Sequence, residues 1–153
     1  MEWVLLAYRL PREPSTPRIA LWRKLRRLGA VQVVDGLVAL PRDSRTQEQL
    51  EWLAEEVGEA GGEATVWVGR PGSSGQERAL VARVTERAAA EYRAVIEAAR
   101  DASGKDEAAR RRTLARLRRA LKAIRGRDYF PPAERGGAEQ AVEGLAELVE
   151  AAR

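Results

Sequence analysis

Hydrophobic positions in the first seventy residues switch between short apolar runs and helical spacings. Trp3–Leu10 is an apolar run stopped by Pro11, which predicts a buried strand. A helix is predicted next, with Ser15 and Thr16 as candidate N-caps and Gly29 as the residue that ends it. The apolar residues at helical spacing in this segment are Ile19, Leu21, Trp22, Leu25 and Leu28.

Two short strands, Val31–Val34 and Leu37–Leu40, are predicted after this helix, with Pro41 ending the second. The Asp35-Gly36 pair between them is a strong hairpin signal, since glycine adopts the positive φ that tight turns require. The sequence therefore predicts that the two strands pair as a β-hairpin.

A second helix and a fourth strand complete the first part of the chain. Ser44 is the predicted N-cap of the helix, and Gly61-Gly62 is its predicted end. Its inward-facing residues are predicted to be Leu50, Leu53, Ala54 and Val57. With Ala64–Val68 as the fourth strand, the order β-α-β-β-α-β predicts an α+β domain over residues 1–70, a ferredoxin-like plait of Cas2-like topology.

Everything after the predicted linker Arg70–Gly75 carries helical spacing. Three helices are predicted, over residues 76–100, 106–127 and 138–152, with a break at Ser103-Gly104. The inner residues predicted for the first are Leu80, Val84, Tyr92, Val95 and Ile96. Asp128–Pro132 is predicted to be a hinge in which Tyr129-Phe130 packs as a hydrophobic staple. We expect this extension, residues 76–153, to pack on the first domain as one structural unit.

The second of these helices is strongly basic. An apolar stripe runs along it at spacings of three, four and three, through Leu114, Leu117, Leu121 and Ile124. Nine basic residues and no acid surround that stripe: Arg110, Arg111, Arg112, Arg116, Arg118, Arg119, Lys122, Arg125 and Arg127. Such a helix repels itself unless an anion lies beside it.

Three sources of that anion remain open at this point: nucleic acid, solvent counterions, or the last helix of the same chain. The last helix carries four acids on one face, namely Glu139, Glu143, Glu147 and Glu150. Phosphate contact and internal pairing have similar weight, because the nine basic residues outnumber the four acids.

The composition of the chain excludes several kinds of catalytic and metal-binding site. The chain has 153 residues, a net charge of +4 and neither cysteine nor histidine. Disulfides, thiol nucleophiles, imidazole bases and Cys/His zinc sites are therefore excluded, and no cofactor or metal is predicted. No apolar run is long enough to span a membrane and no signal peptide is recognisable, so we expect a cytoplasmic protein.

A second basic cluster lies on the first helix, with no acid between Pro14 and Val34. Its members are Arg18, Arg23, Lys24, Arg26 and Arg27. We expect Trp22, in their midst, to fill the space between helix and sheet rather than to stack on a base.

Several phrases of the sequence resemble one family, the N-terminal domain of the chromate resistance regulator ChrB. They are Arg9-Leu10-Pro11, the helix phrase LWRKLRRLGA (21–30), Asp35-Gly36-Leu37, the turn EAGGEA (59–64) and Asp128-Tyr129-Phe130-Pro131, in the right order. The resemblance implies a transcriptional regulator of a chromate-efflux operon that binds promoter DNA. Longer members of the family append a C-terminal domain thought to sense chromate, so we expect this chain to be a stand-alone protein without that domain.

We therefore predict a DNA-binding regulator, dimeric and non-enzymatic. The predicted nucleic-acid-binding residues are Arg23, Arg26, Arg27, Arg111, Arg112, Arg116, Arg118, Arg119 and Lys122. One alternative is an interaction module that docks a separately encoded sensor protein, and a weaker one is binding of chromate or another oxyanion.

Nucleases of Cas2-like topology use an aspartate near the end of the first strand for metal, whereas Tyr8 and Arg9 occupy those places here.

The predicted sheet also bears on oligomeric state. A four-stranded plait leaves one face without helices, and we expect large side chains of Trp3, Tyr8 and Trp67 on it. Such a face aggregates unless it is covered by the helical extension or by a second copy. We expect a homodimer.

Overall fold

The computed structural model describes all residues from Met1 to Arg153 and contains four strands and five helices. The elements in chain order are β1 (Trp3–Arg9), α1 (Thr16–Leu28), β2 (Val31–Val34), β3 (Leu37–Pro41), α2 (Ser44–Glu59), β4 (Glu63–Gly69), α3 (Ser74–Ser103), α4 (Glu107–Arg125) and α5 (Glu134–Ala151). The chain forms two compact units, Met1–Val84 and Thr85–Arg153, so that the first turns of α3 belong to the first unit.

The first unit is built on a four-stranded antiparallel sheet with strand order β2-β3-β1-β4. The predicted order of elements and the α+β class are confirmed. The Asp35-Gly36 hairpin is confirmed as well, with Gly36 at a φ of 76°. A Cβ on Gly36 would lie 2.7 Å from the carbonyl oxygen of Tyr8, so glycine is needed here for space as well as for conformation.

One face of the sheet carries the main core of the first unit. Val4 and Leu6 of β1 are fully buried and pair with Leu40 and Val38 of β3 on the same face. The helices contribute buried leucines and a valine, namely Leu21 and Leu25 from α1 and Leu50, Leu53 and Val57 from α2. Alternation along β1 and β3 therefore directs these four strand side chains to the helix-bearing face.

The N-terminus of α2 differs from the prediction. Asp43, not Ser44, is the N-cap, and its carboxylate accepts the Thr46 N–H at 2.7 Å. Thr46 closes a capping box, because its hydroxyl accepts the Asp43 N–H at 2.9 Å and donates to the Pro41 carbonyl at 2.7 Å. Ser44 is the first helical residue, since the carboxylate one position earlier takes the free amides.

The opposite sheet face is only partly as predicted. Trp3 is only 1% exposed, because the first turns of α3 lie beside it and line a shared cavity with it. Tyr8 follows Trp3 by an odd number of residues and therefore lies on the helix-bearing face. Of the three predicted side chains, only Trp67 is exposed on this face, at 61%.

The second unit is a three-helix structure with its own apolar core. The rest of α3 supplies Ala88, Tyr92, Val95, Ala99 and Ala102. Helix α4 supplies its whole predicted stripe, and α5 supplies Ala138, Val142, Leu145 and Val149. Tyr92 and Val95 are buried as predicted, as is Val84 of the first unit, whereas Leu80 and Ile96 are only partly buried. Helix α5 begins at Glu134, one turn earlier than predicted.

Candidate nucleic-acid interface

Helix α4 presents its basic residues on a regular, well-capped element. The Asp106 carboxylate accepts the Ala109 N–H at 2.8 Å, and Glu107 adds a negative charge to the first turn. Both features stabilise the helix N-terminus, where backbone amides lack partners and the helix dipole is positive. The buried leucine stripe fixes the rotation of α4, so the basic side chains can only point sideways and outward.

Four of the nine basic residues are engaged inside the chain. The pairs are Arg110 with the carbonyl of Ser103, Arg111 with Glu107, Arg125 with Glu139, and Arg127 with Glu91. The pair of Arg127 with Glu91 is the least exposed, at 20% and 26%. These arginines are held by protein acceptors and are the least available for an external anion.

The other five basic residues of α4 are exposed and make no ion pair or hydrogen bond within the chain. They are Arg112, Arg116, Arg118, Arg119 and Lys122. Arg112, Arg116 and Arg119 form a line on the face opposite the leucine stripe, about 10 Å long at 1.5 Å per residue. Arg118 and Lys122 flank this line on one side. We call these five residues the free basic face of α4.

The acidic face of α5 neutralises little of this charge. Glu139 accepts from Arg125 at 3.2 Å and from Arg135 at 3.0 Å, and these two guanidinium groups, Arg135 foremost, hold the pKa of Glu139 below its usual range. Glu143 and Glu147 form no ion pair, and Glu150 pairs with Arg153 at 3.9 Å. Of the four predicted acids, only Glu139 forms an ion pair with a residue of α4.

The second basic cluster lies on α1 and is described by itself, since α1 and α4 belong to different units. Arg23 and Arg27 are exposed and have no partner in the chain. Lys24 is paired with Glu56 of α2 at 2.7 Å. Arg18 donates to the Arg12 carbonyl at 3.4 Å.

The expectation that Trp22 fills the core is wrong. Trp22 is 52% exposed, and the guanidinium carbon of Arg26 lies 4.6 Å from the centroid of its ring. The preceding residue, Leu21, takes the buried position, and at 100° per residue Trp22 is turned to the side of the helix. A cation stacked on an exposed indole makes a flat surface suited to another planar group.

The hinge between α4 and α5 contains a buried polar contact. The Tyr92 hydroxyl donates to the Asp128 carboxylate at 2.5 Å, and Asp128 is 7% exposed. Burial, followed by the hydrogen bond to Asp128, raises the pKa of Tyr92. Tyr129 and Phe130 are partly buried. The sequence prediction placed a hinge here but missed the hydrogen bond, since nothing local in sequence joins residues 36 positions apart.

Other candidate chemistry is sparse. Glu51, Glu55 and Glu56 are exposed on α2, and Glu56 is occupied by Lys24. No group of three or more acidic side chains is placed to hold a metal ion. None of the five helices has the length and apolar character needed to cross a membrane.

Together these observations define an α+β domain followed by helices, with two exposed sets of unpaired arginines. The family described as "Protein ChrB, N-terminal" matches residues 18–152 of this chain. The chain therefore belongs to the ChrB N-terminal family, as the sequence resemblance predicted.

One curated relative is longer than this chain. Protein ChrB of Cupriavidus metallidurans (strain CH34) is 35% identical over 133 residues, which are 84% of this chain and 40% of the relative. The chain thus corresponds to less than half the length of that relative. No solved structure matches the chain.

Proposed function

We propose that this protein is a DNA-binding transcriptional regulator linked to chromate resistance, and that it contacts DNA phosphates through α4 and α1. The observation that carries the proposal is the free basic face of α4, where five cations have no partner in the chain. Membership of the ChrB family supports the link to chromate resistance.

The chemistry of the free basic face suits a phosphate backbone. Arginine presents a planar fork of N–H donors that matches phosphate oxygens, and a line of such residues follows successive phosphates. These contacts position a protein on DNA but carry little sequence information. Arg23 and Arg27 of α1 supply two further unpaired guanidinium groups, whereas Arg111 is held by Glu107 and contributes less.

The test is a binding titration with the promoter of the operon that encodes the protein, at several salt concentrations. We expect tighter binding to the promoter than to a random duplex of equal length. We also expect a steep loss of affinity with salt, because each neutralised phosphate releases condensed counterions. Equal affinity for both duplexes, or a flat salt dependence, contradicts the proposal.

A second candidate function is a module that docks a separately encoded sensor domain. The observation that favours it is the exposed apolar surface of β4, where Trp67 is 61% and Val68 is 41% exposed. Co-purification with the product of a neighbouring gene tests it, and a lack of association at micromolar concentration contradicts it.

Two further assignments belong to the same proposal. We assign the first unit to the ferredoxin-like class, on the strength of the strand order β2-β3-β1-β4 with one helix after β1 and one after β3. We also take the protein to be a non-enzyme, because its acidic side chains near the sheet are exposed or paired with basic residues.

A further inference from the structure

A cleft of about 560 Å³ lies in the first unit between α1, the end of β1 at Tyr8 and Gln32 of β2. Its lining combines aromatic, aliphatic, amide and guanidinium groups: Tyr8, Leu10, Ser15, Arg18, Ile19, Trp22, Arg23 and Gln32. No acidic residue lines it.

Two large apolar side chains at the cleft are open to solvent. Trp22 is 52% and Ile19 is 48% exposed, although both belong to a helix that buries other apolar residues. Arg26 stacks on the Trp22 ring and still leaves more than half of the residue accessible. An exposed indole stiffened by a stacked guanidinium is a platform for a planar, electron-rich ring.

The polar groups at the cleft can bind the charged and polar parts of a ligand whose ring stacks on Trp22. Arg23 has no partner in the chain, and Arg18 makes a single long hydrogen bond, at 3.4 Å. Asp35 is the carboxylate beside the cleft, and the Gln32 side chain donates to it at 3.0 Å. Burial, with Asp35 as the next cause, raises the pKa of Tyr8, so its hydroxyl remains a donor.

We propose that this cleft binds an unstacked base of a single-stranded nucleic acid, with the base on Trp22 and its phosphate on Arg23 and Arg18. Aromatic stacking next to unpaired guanidinium groups is how proteins hold single strands without reading a duplex groove. The inference rests on the proposed nucleic-acid function and specifies it, since paired duplex bases have no free ring face to offer. DNA and RNA strands share this chemistry.

The test compares a labelled oligothymidylate of about twelve nucleotides, within the usual site size for such proteins, with a duplex of equal length. We expect Trp22→Ala to weaken binding of the single strand about tenfold, the effect typical of losing one stacked base. Duplex affinity stays unchanged. Trp52→Ala is the matched control, because Trp52 is 59% exposed on α2 but does not line the cleft, and it changes neither affinity.

Two further variants keep the test independent of folding. Trp22→Phe retains a stacking ring and most of the affinity, whereas Trp22→Leu retains apolar bulk and loses the affinity. The same titration with an oligouridylate distinguishes RNA from DNA. RNA is the ligand if binding of the oligouridylate depends more strongly on Trp22 than binding of the oligothymidylate does. Trp22-dependent binding of either strand supports the proposal.

The outcomes separate this inference from the proposed function. Wild-type protein that binds the duplex, with single-strand affinity insensitive to Trp22, overturns the base-binding cleft alone. Equal losses from Trp22→Ala and Trp52→Ala also overturn it. If the wild-type protein binds neither the duplex nor the single strand, the proposed function and the base-binding cleft are both overturned.

Discussion

At the scale of single residues, the hydrogen bond between Tyr92 and Asp128 links α3 to the segment that leads into α5. Tyr92 is fully buried, and Asp128 has Arg135 at 3.4 Å as its other polar partner. A buried carboxylate that loses a hydrogen-bond donor retains the desolvation cost with less compensation, and such a loss typically costs about 1–3 kcal/mol. This one bond therefore contributes measurably to the stability of the second unit.

We predict that Tyr92→Phe lowers the free energy of unfolding by about 1–3 kcal/mol, measured by urea denaturation at neutral pH. Tyr8→Phe is the matched control, because the Tyr8 hydroxyl has no hydrogen-bond partner in the chain, and we expect little change. Equal losses in the two variants contradict the role of Asp128.

The hydrogen bond between Tyr92 and Asp128 also makes the stability of the protein depend on pH. Because the pKa of Tyr92 is raised in the folded protein, the folded state keeps a proton that the unfolded state begins to lose near pH 10. The stabilisation is therefore fully present below pH 10 and falls as pH rises above it. Tyr92→Phe should remove this part of the alkaline loss.

The tryptophans show where residue-level prediction reached its limit. Trp3 was expected on the open sheet face and is buried there beside α3, whereas Trp22 was expected to be buried and is exposed. The burial of Trp3 depends on the first turns of α3, more than seventy residues away in sequence. Trp22 lies beside an apolar stripe, where a rotation of α1 by a fraction of a turn decides its exposure.

At the scale of elements, helix ends are set by competition between neighbouring polar residues. Asp43 and Ser44 are both good N-caps by type, and the capping box with Thr46 selects Asp43. Thr46 is fully buried, so its hydroxyl needs both partners, which are the Asp43 N–H and the Pro41 carbonyl.

We predict that Asp43→Ala lowers the free energy of unfolding by about 0.5–2 kcal/mol, the usual cost of losing an N-cap. Ser44→Ala should have almost no effect, because Ser44 lies inside the helix and its side chain has no hydrogen bond. Thermal unfolding followed by circular dichroism measures both. A larger loss for Ser44→Ala than for Asp43→Ala contradicts the assigned cap.

Helix α4 shows both what the sequence predicts at this scale and what it does not. Spacing alone predicted the buried stripe from Leu114 to Ile124, and the structure confirms it. Spacing did not predict which arginines are paired, because ion pairs depend on side chains from α3 and α5. Arg127, for example, forms an ion pair with Glu91 of α3.

At the scale of the whole molecule, the order of elements followed from local signals, namely turn glycines, apolar runs and helix stops. The division at Val84/Thr85, inside a continuous helix, has no such signal, and the predicted linker at Arg70–Gly75 leads directly into α3. The sites depend on contacts between elements and were therefore predicted only as sets of basic residues.

Edge strand β4 supports the expected homodimer. It pairs with β1 alone and carries Trp67 and Val68 at 61% and 41% exposure, so its outer edge and apolar side chains are available to a second copy. We predict twice the chain mass of 16.9 kDa by light scattering at tens of micromolar.

Trp67→Glu should reduce the mass to that of one chain, whereas Trp52→Glu, an equally exposed position on α2, should not. A wild-type mass of 16.9 kDa contradicts the dimer.

The most direct test of the central claim is the salt dependence of DNA binding in variants of the free basic face. Each phosphate contact contributes about 0.9 to the slope of log affinity against log salt, so Arg116→Glu combined with Arg119→Glu should lower the slope by about two. Arg125→Gln, at a residue already paired with Glu139, should leave the slope unchanged. A double variant with the wild-type slope contradicts the proposal that α4 contacts DNA phosphates.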